Sequence, residues 1–582
     1  MMIKSHALLC TPATPLLPAP TVGLTVIPGN FPGNFLGNFL AIVLAIVLSS
    51  CATTPAARSV VADYRLDVLV PGSAMHGVHG LAFDKDDVLY GASLAGYSIY
   101  QIDTATGEVT TKVGPPLGSA DDVAVAPDGT IAWTAGAFSA VHALTPEGEF
   151  KVLATDLPAV NSINYSPDGR LFVTRVFGGD ALYEIDPAGV EKPRLIAKNL
   201  GGLNGFEVTA DDQLYGPLFL KGKLVRVDVN SGEVTQIQEG FAMPAAVNLD
   251  SQGRLFVVDF KDGTVSRIDL DQVPAPEARV VIAQLEPPLD NLAINSRDEL
   301  YISNPATNTI TAVDPDTGES RTVVSGHLSS PGGIAFATVD GRQALLVADL
   351  WGNRFFDPDT GARTMLAVPN GVTASASLAA QGHYLALASI WPFGLVYVID
   401  QQANKIVKTA KFAAPYSPLF MEDGSLLVAD YTAGTVTRLA PGKNRDKTVV
   451  ASDLDGPLGL ALVEEASQRL LYISEYDAGR LVRLNLDTGE LSTVAEGLQQ
   501  PEGLALTRDG QVLVAATGSR QLLRINPANG VTDTLADNLA IGLVGGPDLP
   551  LPFLPTGIAV DGADNIYISA DIDNALYKLS KK

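Results

Sequence analysis

The sequence predicts an all-β protein assembled from one four-stranded unit repeated twelve times, and three observations predict it. From about residue 76 to the end a single pattern recurs, clearest in HGLAFDKDDVLYGAS (79–93), NGFEVTADDQLYGPL (204–218), EGLALTRDGQVLVAA (502–516) and TGIAVDGADNIYIS (556–569). Within each copy an apolar stretch alternates, turns at an Asp or Gly, and alternates again, which is the period-2 signature of a hairpin of strands. Two further stretches follow in most copies, with D-T-G or N-P-A-N-G at the bend, as in SIYQIDTATGEVTTKVG (98–114) and RLVRLNLDTGELSTVAEG (480–497). A repeat of roughly 40–45 residues with four strands is a β-propeller blade, because a small twisted sheet hides its faces only by stacking on neighbours around a ring.

Taken in chain order, the first element is FLAIVLAIVL (39–48), an apolar run that ends in Leu48, Ser49, Ser50 and Cys51. It is too short to span a bilayer, which needs ~20 residues, and suits the core of a secretory signal. The L-S-S-C end resembles a bacterial lipoprotein signal, which implies cleavage before Cys51 and its lipidation; a plain signal peptide or short anchor is the alternative. The resemblance divides the N-terminus into a signal peptide (1–50) and a lipidated tether (51–61). It implies a cell-envelope lipoprotein, and Ala52 beside the cysteine points to the outer membrane, facing the periplasm or the surface. The GNFPGNFLGNFL run (29–40) leaves room for a start further on.

ADYRLDVLVPG (62–72) then reads as an outer strand without a blade. The innermost strands start near His79, Asp121, Asn161, Asn204, Ala245, Asp290, Gly332, Thr373, Tyr416, Leu458, Glu502 and Thr556. The chain ends at NALYKLSKK, which reaches only the third strand of blade twelve. The expected architecture is two tandem six-bladed β-propellers, over 62–317 and 318–582, because ~4–8 blades is the usual range. In that arrangement strand 62–72 pairs with blade six, and ESRTVVSG (319–326) moves on to close the second ring. In the alternative, one twelve-bladed ring, strand 62–72 pairs with blade twelve. Both leave no open edge to aggregate.

Apart from Cys10 and Cys51 there is no cysteine, so the body after residue 51 has neither disulfide nor thiolate chemistry. Lys4 is the only charge before residue 51, so the mature chain carries −26 against −25 for the whole. Such a surface excludes nucleic acid as a partner and favours cations.

In a propeller the start of the inner strand and the loop after the second strand converge on one mouth of the channel. On ring one the first of these slots holds His79, Asp121 (with Asp122), Asn161, Asn204 and Asp290 (with Asn291), and ring two holds one carboxylate, Glu502. Converging carboxylate and amide oxygens are what Ca²⁺ requires at ~2.3–2.6 Å; capping of strand turns is the bland account of the same residues. No G-x-S-x-G elbow is present. Arg175, in the second slot of blade three, is placed to orient an anionic substrate or to pair with an acid. The second slot of ring two carries Trp351, Trp391, Tyr431 and Tyr476, beside the apolar insertion IGLVGGPDLPLPFLP (541–555). These aromatics make a ligand or partner surface or ordinary blade packing, and Phe177, Phe219 and Phe260 occupy the equivalent slot on ring one.

The pattern N-G-x-x-x-x-x-D-x-x-L-Y at 204–215, with related copies across both rings, resembles the gluconolactonase/regucalcin-like six-bladed propellers and the neighbouring NHL-repeat propellers. The resemblance implies calcium held by asparagines on middle blades and an aspartate on a later one, which carries over to Asn161, Asn204 and Asp290. Where those enzymes have a glutamate this chain has His79; a histidine in H-G-L is similar to the metal-binding or catalytic histidine of NHL-type lyases, and His76 is its only close companion. The implied activity is metal-dependent lactonase or esterase hydrolysis, with His79 or Asp121 activating water, and less readily lyase chemistry. The alternative is a non-enzymatic envelope platform for a small molecule, a carbohydrate or a protein.

Overall fold

The computed structural model describes residues 58–582 apart from 340, 368–374, 390–393, 443–445, 466–467 and 544–553. Cys51, Thr373 and Trp391 lie outside the described residues, as does the segment read as a signal. The described residues form twelve sheets of at least four strands, all antiparallel between neighbours. Blades one to six cover 81–113, 123–154, 163–198, 207–239, 244–284 and 292–324; blades seven to twelve cover 331–367, 375–411, 415–451, 457–496, 501–537 and 558–581.

The bends between third and outer strands follow from the D-T-G texture. Asp103 accepts hydrogen bonds from the backbone N–H of Ala105 and Thr106 on the same oxygen, so the side chain imitates a turn of backbone. Asp228, Asp314, Asp357 and Asn485 repeat this device. Gly107 closes its bend at φ +75°, where a Cβ would fall 2.4 Å from Val323 O of blade six.

Two rings close. The inner strands touch in the order one to six and back to one, and again from seven to twelve and back to seven. Ser303 Oγ on blade six donates to His79 O on blade one at 2.6 Å. In ring two, Ala559, Tyr567 and Leu576 of blade twelve share an apolar cluster with Ile334, Leu345, Val347 and Phe356 of blade seven.

The expected strand exchange does not occur. Tyr64–Val70 pairs with Ala575–Lys581 of blade twelve, Leu66 opposite Leu579, while Ser320–Val324 stays on its own blade six beside Thr309–Val313. The six blades of ring one are complete in themselves, and only blade twelve is short of an outer strand, so the spare strand goes to the one open edge. Ring one is thus inserted between the closing strand of ring two and the remainder of ring two. Two crossings join the rings, and Asn308 and Asn574, at matching turns of blades six and twelve, both donate to Met75 O on the first crossing and Leu328 O on the second.

The tether also ends earlier than expected. Ser59–Val60 adds a fifth strand to blade eleven, against Asp537 and Ala536, and Arg58 pairs with Asp573 while its guanidinium lies over the Tyr577 ring. Residues 58–61 therefore belong to ring two.

Candidate functional site

His79, Asp121, Asn161, Asn204 and Asp290 each sit two or three residues before an inner strand of ring one, at the channel mouth. Hydroxyls on the second strand of the preceding blade fix their backbone: Thr134 Oγ1 donates to Asn161 O at 2.6 Å, as Ser303 does to His79 O. Blade five contributes buried Ala245 and leaves a gap in the polar ring.

The mouth residues join one another. His79 Nδ1 lies 2.6 Å from Asp290 Oδ2. Asn161 Nδ2 donates to Asp121 Oδ2 at 2.6 Å, and Ser162 Oγ lies 2.8 Å from Asn204 Oδ1 and 3.2 Å from Asn161 Oδ1. Asp122, beneath them, accepts from Val123 N, Ile163 N and Asn291 Nδ2. Burial pushes the Asp121 carboxyl up to about 7, with His79 opposing and Asp290 adding to the rise, and pushes Asp122 up to about 8 in spite of its two backbone donors. Burial disfavours a charge on His79, but the hydrogen bond and charge of Asp290, aided by Asp121 and Asp122, outweigh it and hold the imidazole above its ordinary value.

With Nδ1–H given to Asp290, the lone pair of neutral His79 is on Nε2, which is buried and has no partner among the described residues. That is a carboxylate-oriented imidazole with its second nitrogen free for a proton. His76 is engaged elsewhere, Nε2 2.6 Å from Asp571 O and Nδ1 3.3 Å from Tyr100 Oη, so the two histidines do not share a ligand.

The donor set does not fit a ready calcium cage. No three His, Cys, Asp or Glu side chains among the described residues gather to hold a metal. Asp290 is turned to His79, and the amide oxygens of Asn161 and Asn204 are drawn together by Ser162; a cation needing six or more oxygens would have to break this chain of hydrogen bonds.

Arg175 braces its own loop, donating to Pro158 O at 2.8 Å and to Gly178 O, rather than standing free for an anion. In ring two an edge-to-face row runs from Tyr416 of the first slot to Tyr431 of the second at 6.0 Å and on to Tyr476 at 6.3 Å. Ala95, from the blade-one turn, is buried in the apolar cluster of Leu350, Tyr416, Leu458 and Leu554 against which Trp351, Tyr431 and Tyr476 pack. That surface therefore meets ring one at Ala95. Ser162 and the reach of Trp351 to His79, 5.1 Å between ring centroids, were missed by sequence reasoning; Ser162 carried only the signal of standing beside Asn161.

Residues 200–349, from the lead-in of blade four to the second strand of blade seven, match the family model of the SMP-30/Gluconolactonase/LRE-like region. No curated protein matches the chain. Among solved structures, a virginiamycin B lyase from Staphylococcus aureus with quinupristin is 17% identical over 49% of this chain and 96% of its own, with a TM-score of 0.36. A gluconolactonase from Xanthomonas campestris is 16% identical over 42% of this chain and 89% of its own, TM-score 0.34. The extracellular domain of a B. thetaiotaomicron protein named for a one component system is 12% identical over 89% and 82%, TM-score 0.30. At those scores none bears on activity. The resemblance read from 204–215 falls inside the matched region, so residues 200–349 of the 582 are similar to that family.

Proposed function

We propose that the mouth of ring one hydrolyses an ester, a lactone foremost, with His79 as general base. The observation that carries this reading is the His79–Asp290 pair with Nε2 buried and unpartnered. Water gives a proton to Nε2 as its oxygen attacks the carbonyl carbon. Asp290 holds the ring and stabilises the imidazolium, and Nε2 returns the proton to the leaving alkoxide, so that a lactone opens to a hydroxy acid. Asp121, close to half-protonated near neutrality, and the Asn204 amide would donate to the developing oxyanion. No step needs a metal.

The test is turnover of γ- and δ-lactones and phenyl esters by the purified protein, with calcium and with chelator. His79→Gln should lower kcat/KM by about 10²–10⁴-fold. The rate should rise with pH on the alkaline side of the ordinary histidine value, because Asp290 favours the protonated, inactive imidazole, and fall at higher pH as Asp121, raised to about 7, gives up the proton it donates. Turnover that survives His79→Gln, or that vanishes in chelator and returns with calcium, would overturn the metal-free base.

The binding-platform reading keeps one observation in its favour. Phe177, 54% exposed, continues edge-to-face through Phe219 to Phe260 on the same mouth of ring one, beside exposed Leu220, an apolar strip that the hydrolysis does not use.

The same proposal keeps Cys51 as a lipid anchor in the cell envelope. Six residues separate it from Arg58, the first residue fixed to ring two, and an extended chain over that stretch reaches at most ~25 Å. Blades eleven and twelve would then lie close to the membrane. Cys51→Ser should move the protein from the membrane to the soluble fraction; a variant still sedimenting with membranes would rule the anchor out.

A further inference from the structure

Trp351 is a ring-two residue by sequence, yet it lies on His79. It stands on the turn between Arg342–Asp349 and Gly352–Phe356 of blade seven. That turn is fixed from below: the Asp349 carboxylate accepts from Ser329 N and Ser330 N and pairs with Arg354, both side chains fully buried. On the other side the backbone of ring one's lead-in presses against the indole. A Cβ at Gly77 would come 3.5 Å from Trp351 Nε1 and 3.0 Å from Ser329 Oγ. The His79 imidazole meets the indole at 69° with centroids 5.1 Å apart.

Two buried nitrogens without partners among the described residues thus occur on rings in contact, His79 Nε2 from one propeller and Trp351 Nε1 from the other. A buried donor or acceptor left unmade is costly, and each such group in a folded protein calls for an explanation. A ligand or water oxygen that accepts from the indole N–H or donates to the imidazole supplies one. Apolar cover also keeps bulk water from the lone pair on which a base depends.

We infer that Trp351 is the roof of the ring-one site, so that the site is composite and ring two determines which esters reach His79. The inference rests on the proposed hydrolysis for its reaction but not for the cover itself. Trp351 is a positioning and specificity residue: its indole shields Nε2, and its face selects an ester with a planar or apolar flank over a compact polar one.

Site-resolved acylation of histidines by diethyl pyrocarbonate, followed by mass spectrometry on the full chain, measures the cover without reference to turnover. In the parent His79 should label more slowly than His383, whose side chain is 40% exposed. In Trp351→Ala the His79 rate should rise by at least about tenfold, since local opening no longer limits access, while His383 is unchanged. If Trp351→Ala does not fold, Trp351→Leu should give a smaller rise in the same direction. A His79 rate equal to the parent's in a folded variant would overturn the roof. Where turnover is measurable, Trp351→Phe should raise KM for phenyl-flanked esters more than for unsubstituted lactones, and an equal change for both would remove the specificity role. Faster labelling in a protein that hydrolyses nothing would keep the cover and discard the hydrolase.

Discussion

Glu502 is the ring-two counterpart of the polar mouth, and its chemistry differs from that of His79 because nothing positive faces it. Its Oε2 accepts from Thr556 N at 2.6 Å and Oε1 lies 2.9 Å from Thr517 Oγ1. Burial, with the charge of Asp571 added, pushes the carboxyl up to about 8 against those hydrogen bonds. The folded state therefore holds a proton that the unfolded chain releases near 4.5. The stability this contributes is complete below that value and is lost as pH rises through about 8. Glu502→Gln copies the protonated form, one oxygen to accept and one N–H to donate to Thr517. The parent should lose stability steadily between about pH 5 and 9, and the variant should be flatter by on the order of a few kcal/mol across that range. The slope left in the variant belongs to Asp121, Asp122, Glu207 and Asp571, all raised by burial, and is opposed by His76 and His142, which burial lowers. Denaturant curves at several pH values decide it, and parallel dependences in parent and variant would show that Glu502 is ionised throughout. Such residues were legible in the sequence because a fixed slot in the repeat puts them at a mouth. Ser162 was not, since its role is to reach an asparagine on the next blade, and Trp351 was not, since its partner belongs to the other ring.

At the scale of strands and turns the sequence carries most of its information in bends. The Asx turn needs its acceptor at the first position and a glycine able to take positive φ four residues on, so D-T-A-T-G or D-P-D-T-G marks a bend wherever it stands. Acids closing second strands share a role that the sequence did not make legible. Asp259, Asp349, Asp430 and Asp571 each accept from two successive N–H groups of the loop entering their own blade or its neighbour. Pairing of outer strands was not legible. YRLDVLV and SRTVV are both exposed or half-buried over most of their length, so either could satisfy an open edge by its side chains. The choice is made by where the chain stands when ring one has closed: Val313 is still beside Ser320, whereas Leu579, paired with Ile566 on its inner side, meets Leu66 on its outer side.

For the whole molecule, the consequence of that pairing is that ring one is an insertion whose two ends meet. Ser73 Oγ donates to Leu328 O at 2.8 Å and accepts from His327 N at 3.0 Å, so the point where the chain leaves ring two lies within hydrogen-bonding distance of the point where it returns. Insertions are tolerated when their ends are this close, because the host need not stretch to admit them. Excision should be tolerated for the same reason. A chain joining residues 58–73 to 327–582 through a short Gly-Ser linker retains Tyr64–Val70 for blade twelve and should fold as a closed six-bladed ring. Residues 327–582 alone leave Ala575–Lys581 as an open edge and should aggregate. Removing ring one also uncovers Leu350, Tyr416 and Leu458 around the vacated place of Ala95, so the excised protein should melt below the parent while keeping one cooperative transition. Circular dichroism and size-exclusion chromatography on the two chains test this directly. Equal behaviour of the chain with the closing strand and the chain without it would mean that Tyr64–Val70 does not close ring two. Aggregation of both would mean that the rings cannot fold apart, and that the blade-one turn lying against Tyr416 is as necessary to ring two as its own twelfth blade.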